Sequence, residues 1–295
     1  EEPWKRSLVT SELIDHLRDP ERTVVVVSNT PGRARLLACR RCRTLTRCER
    51  CDAAVVLDDD ERLVCPRCET VRPPVCLVCG DGRFANLRPG VTRLREELEA
   101  AAGRTVVEVT RSGPERPPEA GVYVGTEAVL HRVGRADTVA FLDLDRELLA
   151  PRYRAAEQAM GLIVRAARLV GPRSRGGRLL LQTFLPHHDV VQAALLADPG
   201  RMVVREREQR RMLGLPPYGA LAEISGKGSD EFVGSIPPVE GMMVVGGAGE
   251  YVARAGDWMT LGEAINAGVR PPNSRLRIAV DPPRAGGHHH HPVGQ

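Results

Sequence analysis

Apolar residues in the first two thirds of the chain alternate between short continuous runs and helical spacing. Residues 23–28 contain four consecutive valines, which is typical of a strand buried on both faces. Before this run, Leu13, Ile14 and Leu17 follow Thr10 at the spacing of a short capped helix. Further strands are predicted at 105–109, 121–125, 138–143 and 178–184, and further helices at 92–102 and from Pro151 onward. This alternation predicts an α/β fold in which helices pack on a parallel sheet.

The last third of the chain predicts a second, smaller domain. It begins after Pro216-Pro217 and has the element order β-α-β-β-α-β, which is typical of a ferredoxin-like domain. The predicted strands are 221–225, 242–246, 251–253 and 275–281, and the predicted helices are 229–236 and 261–267. The remaining residues, 282–295, are rich in Pro and Gly and include the run His288–His291, and we expect a disordered tail there.

The cysteines give the most specific chemical signal in the sequence. All eight occur within 41 positions and form four Cys-x2-Cys pairs, each of which can direct two thiolates at one ion. Two such pairs complete the four-cysteine shell of structural zinc, so the sequence predicts two zinc ions without an open coordination position. The alternative is a disulfide framework, which is typical of small secreted domains.

The segment between the second and third pairs predicts which pairs share an ion. Residues 53–57 and 62–64 are mainly apolar and flank the polar residues 58–61, a pattern that predicts a hairpin. A hairpin brings its two ends together, so the inner pairs should share one zinc and the outer pairs the other. The predicted ligands are Cys39, Cys42, Cys76 and Cys79 for the first zinc and Cys48, Cys51, Cys65 and Cys68 for the second.

Length and composition are those of a soluble globular protein with two or three domains. The chain has 295 residues, 42% hydrophobic and 27% charged, and no apolar run approaches the roughly 20 residues of a membrane span. It opens on Glu1-Glu2 without a starting Met or a secretory signal, which favours a cytosolic protein and is consistent with one piece of a longer chain. The net charge of +4 is too small to indicate a partner.

Lysine is almost absent, and this excludes one nucleotide-binding motif. Every basic residue other than Lys5 and Lys227 is arginine. A phosphate-binding P-loop requires Gly-x4-Gly-Lys-Ser/Thr, but Leu221 precedes Lys227 where the first glycine should stand. The chain alone therefore lacks this site for a nucleoside triphosphate.

The cysteine spacing resembles that of the PriA family of replication-restart proteins, also called primosomal protein N′. Several short stretches strengthen the resemblance, which extends over nearly the whole chain. They are Val91-Thr92-Arg93, Gly125-Thr126-Glu127, Leu142-Asp143-Leu144-Asp145, Tyr153-Arg154-Ala155-Ala156-Glu157, Leu181-Gln182-Thr183, Arg210-Arg211 with Pro216-Pro217-Tyr218, and Val280-Asp281-Pro282-Pro283.

The resemblance implies the C-terminal half of such a protein. Residues 1–38 and 81–215 would form a parallel sheet like the second helicase lobe, 39–80 a two-zinc insertion, 216–281 the C-terminal α+β domain, and 282–295 a tail. The implied partners are forked or single-stranded DNA, replicative helicase-loading proteins and single-strand-binding protein, and the implied location is the nucleoid within the cytoplasm.

One departure from the family pattern concerns the ATPase motor. Complete members are ATP-driven 3′→5′ helicases, and arginines after the long helix reach the ATP phosphates, where they stabilise developing charge. In this chain the two corresponding positions hold Leu169 and Pro172. The resemblance therefore implies a lobe that does not support ATP-driven unwinding.

Two acid-free stretches are candidates for contacts with DNA phosphates. Residues 22–47 and 158–188 contain arginines but no Asp or Glu. The candidate DNA-binding residues are Arg33, Arg35, Arg165, Arg168, Arg173, Arg175 and Arg178. The alternative is a solvated arginine-rich surface that reflects codon usage.

The sequence is compatible with three functions. The first is a zinc-stabilised replication-restart protein that binds DNA without helicase activity of its own. The second is a functional lobe of an ATP-dependent helicase, active when joined to a missing N-terminal half. The third is a zinc-ribbon module for protein interactions that makes no contact with DNA.

Overall fold

A computed structural model describes residues 9–28, 37–58, 60–86, 94–110 and 113–283. Arg33, Arg35 and His288–His291 lie outside these residues. The described strands are β1 (Val24–Val27), β2 (Leu37–Cys39), β3 (Val56–Leu57), β4 (Leu63–Val64), β5 (Val71–Arg72), β6 (Phe84–Asn86), β7 (Val106–Val109), β8 (Val122–Gly125), β9 (Thr138–Phe141), β10 (Arg178–Leu181), β11 (Ala220–Ser225), β12 (Met242–Gly247), β13 (Glu250–Ala255) and β14 (Arg277–Val280). The described helices are α1 (Ser11–Arg18), α2 (Leu94–Ala102), α3 (Val129–Arg132), α4 (Asp145–Leu148), α5 (Ala155–Val170), α6 (Asp189–Leu195), α7 (Val203–Met212), α8 (Ser229–Ser235) and α9 (Trp258–Ala267).

A five-stranded parallel sheet confirms the predicted α/β class. Its strand order is β10-β9-β1-β8-β7, and every neighbouring pair is parallel. The valines of β1 are all buried at the centre of this sheet, as expected of a strand covered on both faces. Helix α1 is capped by Thr10, whose hydroxyl oxygen lies 3.3 Å from the backbone nitrogen of Leu13, and it packs its buried leucines beside α2.

A four-stranded antiparallel sheet occupies the last third of the chain. Its strand order is β12-β13-β11-β14, with α8 between β11 and β12 and α9 between β13 and β14. Ile224, Phe232 and Leu261 are buried together with small residues of β11 and β13. The helix and strand order is therefore the one predicted from the apolar pattern.

The chain divides into two compact units. The first comprises Glu1–Thr46, Val75–Leu149 and Ala156–Arg201, and it contains the parallel sheet. The second comprises Arg47–Pro74, Ala150–Ala155 and Met202–Gln295, and it contains the antiparallel sheet. The cysteine-rich segment contributes to both units. The four domain boundaries expected from the resemblance stay a prediction.

No helix among the residues that the structure describes is both long enough and apolar enough to span a membrane.

Candidate metal centres

All four Cys-x2-Cys turns have the same backbone geometry. The N–H of the first cysteine donates to the carbonyl five residues later, and its own carbonyl accepts the N–H of the residue four later, at 2.9–3.0 Å in each case. That fourth residue has a left-handed backbone in every turn. The four positions and their φ angles are Arg43 (63°), Asp52 (57°), Glu69 (60°) and Gly80 (71°). Such a turn orients two cysteine side chains toward one point, as a zinc knuckle requires.

The outer cluster consists of Cys39, Cys42, Cys76 and Cys79, whose sulfur atoms all lie within 4.8 Å of one another. The Sγ atoms of Cys39 and Cys79 are 3.5 Å apart, and those of Cys42 and Cys76 are 3.6 Å apart. Antiparallel pairing of β2 with β6 brings the two halves of this cluster together. It belongs to the first compact unit.

The inner cluster consists of Cys48, Cys51, Cys65 and Cys68, also within 4.8 Å of one another. The Sγ atoms of Cys48 and Cys68 are 3.5 Å apart, and those of Cys51 and Cys65 are 3.4 Å apart. The predicted hairpin is present as β3 and β4, and β5 extends it to three strands. This cluster belongs to the second compact unit and has one more buried cysteine than the outer cluster.

The geometry of both clusters fits a tetrahedral metal ion. Zinc binds thiolate at about 2.3 Å, which places the sulfurs of a tetrahedron about 3.8 Å apart. The closest sulfur pairs are near this separation and far beyond the bond length of about 2.05 Å in a disulfide. All eight cysteines are free thiols, and the grouping is the nested one expected from the hairpin.

One threonine hydroxyl lies beside each cluster, a contact that the cysteine spacing does not predict. Thr44 Oγ1 is 3.3 Å from Cys42 Sγ, and Thr70 Oγ1 is 3.2 Å from Cys68 Sγ. The Thr44 hydroxyl, followed by its backbone N–H, lowers the pKa of the Cys42 thiol to about 6, so this sulfur is mainly thiolate at neutral pH. The signal in the sequence is a threonine two positions after the second cysteine of a pair.

The inner cluster is fixed to the rest of its unit through the carbonyl of Cys51. This oxygen accepts hydrogen bonds from Arg67 Nη1 at 3.1 Å and from Gln209 Nε2 at 2.7 Å. Arg67 also donates from Nη2 to the carbonyl of Ala150 at 2.8 Å. A second contact to α7 is the ion pair between Arg205 and Asp52. The backbone carbonyl of a candidate metal ligand is thus held by two side chains, one 16 and the other 158 positions away in the sequence.

Five of the predicted DNA-binding arginines lie close together along the chain and are exposed. Arg165 and Arg168 are on α5, and Arg165 Nε donates to the carbonyl of Leu130 at 3.3 Å. Arg173 and Arg175 lie in the 3-10 helix Arg173–Arg175. Arg178 opens β10 in register with Thr138 of β9, which places it at the edge where the parallel strands begin. Arg33 and Arg35 are not among the described residues.

The opposite edge of the sheet carries carboxylates that are already engaged. Asp145 is buried and accepts hydrogen bonds from the Phe184 backbone N–H at 2.8 Å and from the Thr183 hydroxyl. Asp143 forms an ion pair with Arg146, and burial raises the pKa of Asp143 despite this arginine. Ligands of open parallel sheets commonly bind at this edge. Asp145 thus joins the segments that follow β9 and β10, whereas Asp143 pairs locally with Arg146.

Comparison with known proteins finds similar sequences among replication restart proteins. No family profile matches the chain. The replication restart protein PriA of Thermotoga maritima is 26% identical over 245 residues, which cover 76% of this chain and 33% of that protein. The PriA of Bacillus subtilis is 25% identical over 241 residues, 75% of this chain and 30% of that protein. The probable PriA of Mycobacterium tuberculosis is 33% identical over 201 residues, 64% of this chain and 30% of that protein.

The chain thus spans about a third of the length of the curated relatives that it matches. Three of the alignments extend over about three quarters of this chain. The resemblance drawn from the cysteine spacing is confirmed, and the chain is related to the PriA replication-restart proteins.

Proposed function

We propose that this chain is the zinc-binding, C-terminal half of a replication-restart protein and binds forked or single-stranded DNA. The observation that carries the proposal is its relation to PriA over about three quarters of its own length. In this proposal the parallel sheet is a helicase second lobe and the antiparallel sheet is a ferredoxin-like domain. Its partners at the nucleoid would be helicase-loading proteins and single-strand-binding protein.

The metal part of the proposal assigns one zinc ion to each cysteine cluster. Four sulfurs complete the coordination shell of each ion, which makes both sites structural. Zinc would stabilise a segment whose strands are two or three residues long and could bury little core alone. Metal analysis of the purified chain should give two zinc ions. Cys65→Ser should remove one of them, while Ser at an unrelated exposed position such as Ala167→Ser should remove none.

The DNA part of the proposal rests on the exposed arginines of the first unit. Arg168, Arg173 and Arg175 have exposed side chains and lie in an acid-free stretch. Guanidinium groups in such a stretch suit contacts with backbone phosphates, which give affinity that falls steeply with salt. A DNA interface of this kind would have little sequence specificity.

Fork binding measured by fluorescence anisotropy at several salt concentrations tests this part. Arg173→Glu with Arg175→Glu should weaken binding and reduce the slope of log affinity against log salt. The matched control is Arg95→Glu with Arg116→Glu, because these exposed arginines follow or precede acids in the chain and the change in charge is the same. An equal effect of both pairs, or no fork binding by the unmodified chain at low salt, would refute this DNA interface.

The proposal includes no motor activity for this lobe. Leu169 and Pro172 occupy the positions where the family has phosphate-reaching arginines. The carbonyl of Leu169 accepts the backbone N–H of Ala136 at 3.2 Å, and Pro172 precedes a 3-10 helix. Neither side chain can contact a phosphate as a guanidinium does. Robust ATP hydrolysis by the protein with forked DNA would refute this part of the proposal.

A further inference from the structure

Helix α7 carries four arginines, and they fall into two groups. Arg205 forms an ion pair with Asp52, and Arg210 forms one with Glu206 at 2.9 Å. Arg207 and Arg211 instead converge on Tyr218. Within the part of the chain that the structure describes, neither of these two guanidiniums has a carboxylate within ion-pair distance. Two positive charges are therefore placed together on the surface without a negative partner of their own.

The contacts of this group are close. Arg207 Nε donates to Tyr218 Oη at 3.3 Å, and Arg211 Nη2 donates to the same oxygen at 3.5 Å. The guanidinium carbon of Arg211 also lies 4.8 Å from the centre of the Tyr218 ring, which is a cation–π contact. We call these three residues the Arg-Tyr-Arg cluster.

The arrangement is electrostatically unfavourable without a ligand. Like charges four residues apart on a helix repel each other, and one phenol oxygen carries too little charge to neutralise two guanidiniums. Both arginine side chains are exposed and the tyrosine is half-buried, so the cluster is accessible from solvent. Arginine in this setting supplies N–H donors in the fork geometry that a phosphate oxygen accepts.

Exposed apolar side chains lie near the cluster on α7, together with the exposed Glu208. Val204, one helical turn before Arg207, has 66% of its surface exposed, and Met212 has 58% exposed. An aromatic ring, a guanidinium plane and exposed apolar side chains are surfaces on which unpaired bases stack. A duplex offers phosphates but hides the faces of its bases, so these surfaces match a single strand better.

We propose that the Arg-Tyr-Arg cluster of Arg207, Tyr218 and Arg211 binds single-stranded nucleic acid, with a phosphate between the two guanidiniums and a base against the aromatic group. This inference deepens the proposed DNA-binding function and rests on it. It adds a contact in the second compact unit, distinct in residues from the arginines of α5 and β10.

The test uses the whole chain and a fluorescein-labelled oligothymidylate, with anisotropy measured at several salt concentrations. Arg207→Gln with Arg211→Gln should reduce the salt slope by about 0.7, which corresponds to the loss of one phosphate contact with a single strand. Tyr218→Leu should weaken binding about tenfold, whereas Tyr218→Phe should stay within about twofold because it keeps the ring.

The control for the double variant is Arg95→Gln with Arg116→Gln. Zinc content and near-ultraviolet circular dichroism verify that each variant is folded.

The outcomes separate this inference from the function on which it rests. If the unmodified chain binds neither fork nor oligothymidylate at low salt, both fail. If it binds but the double variant has the same salt slope as its control, only the Arg-Tyr-Arg site is refuted. Equal competition by a poly-glutamate peptide would show a general anion site and would overturn the assignment to a nucleic acid strand.

Discussion

The side-chain amide of Gln209 donates a 2.7 Å hydrogen bond to the carbonyl of Cys51, although the two residues are 158 positions apart in the sequence. Cys51 is one of the four inner cysteines, and Gln209 lies in the middle of α7. The bond therefore joins a candidate metal-binding turn to a helix of the C-terminal part of the chain. Outer contacts of this kind fix the orientation of metal ligands and tune the affinity of the site.

Gln209→Ala should weaken metal binding at the inner cluster. One hydrogen bond contributes about 1 kcal/mol, so the affinity for one of the two zinc ions should fall about fivefold. Competition with a chromogenic chelator measures this loss. Gln192→Ala is the matched control, because Gln192 also donates from Nε2 to a backbone carbonyl, that of Pro186, at 2.7 Å. If both variants release zinc equally, the contact does not support the inner site.

Thr44→Val should make zinc release from the outer cluster begin at higher pH. The Thr44 hydroxyl lowers the pKa of Cys42 to about 6, so protons compete with the metal for this sulfur only in acid. Without the hydroxyl the pKa of Cys42 rises toward the ordinary thiol value, and protonation displaces zinc earlier during acidification. Zinc release followed against pH measures the shift.

Thr70→Val gives the comparison for Thr44→Val within the same protein. Thr70 occupies the same position beside Cys68 of the inner cluster. Combining each threonine change with the loss of the other metal site, through Cys65→Ser or Cys39→Ser, assigns the released ion to one cluster. Release at unchanged pH in Thr44→Val would contradict the role of the hydroxyl.

Glu69→Gly should stabilise the zinc-loaded chain by about 0.5 kcal/mol. Glu69 is exposed and has a φ of 60°, a conformation that costs a residue with a Cβ about 1–2 kcal/mol. Glycine avoids this cost in the folded state. It also increases the entropy of the unfolded chain, which offsets part of the gain in stability. Urea denaturation at fixed free zinc measures the free energy of unfolding.

Two further variants check the backbone explanation for Glu69. Glu69→Ala removes the same side chain but keeps the Cβ, so its stability should match the unmodified chain. Gly80→Ala should destabilise by a similar amount, because Gly80 has a φ of 71° and an added Cβ there meets no atom within 4 Å. Equal stabilisation by Glu69→Ala and Glu69→Gly would assign the gain to charge instead of backbone strain.

Tyr153→Phe should destabilise the second unit by about 2 kcal/mol. The Tyr153 hydroxyl donates to Asp281, and Tyr153 is 5% exposed beside Leu215 and Leu221. A buried hydrogen bond to a charged group is worth more than an exposed one. Tyr251→Phe is the control, since its hydroxyl donates to the exposed Asp230 at 2.5 Å, and it should cost about 0.5 kcal/mol. Equal losses would contradict the role of burial.

The stability that the Tyr153 hydroxyl contributes should decrease at high pH. Burial, followed by the bond to Asp281, raises the pKa of Tyr153 to about 12. Its contribution to stability is therefore complete below the ordinary tyrosine pKa near 10 and is lost as the pH rises from about 10 toward 12. The difference in unfolding free energy between the unmodified chain and Tyr153→Phe should shrink over this window.

The sequence was most informative where apolar residues repeat with a clear period or where one residue type has a fixed spacing. The consecutive valines of β1 predicted a central strand, and the hairpin between Cys51 and Cys65 predicted the grouping of the sulfurs. Helix α7 was not predicted from the sequence. Its buried position is occupied by Arg210, whereas the apolar Val203 and Val204 are exposed. Such a helix has no apolar stripe to recognise.

Contacts between distant residues account for the rest of what the sequence did not reveal. The long helix was predicted to open at Pro151 but begins at Ala155, because residues 152–155 form a turn in which the Ala155 N–H donates to the Arg152 carbonyl. Nothing local to Tyr218 indicates that Arg207 and Arg211 converge on it, and nothing local to Cys51 indicates Gln209. These relations depend on tertiary packing, which periodicity does not encode.

The shared membership of the cysteine-rich segment has a practical consequence for engineering. Residues 47–74 belong to the same compact unit as the antiparallel sheet, so they are part of that unit and not a separate domain. Excising them would remove the Cys51 carbonyl that accepts from the Gln209 amide and the Asp52 carboxylate that pairs with Arg205. A deletion of this cysteine-rich segment would therefore also remove contacts of α7. Point substitutions of the cysteines test the candidate metal sites and leave those contacts in place.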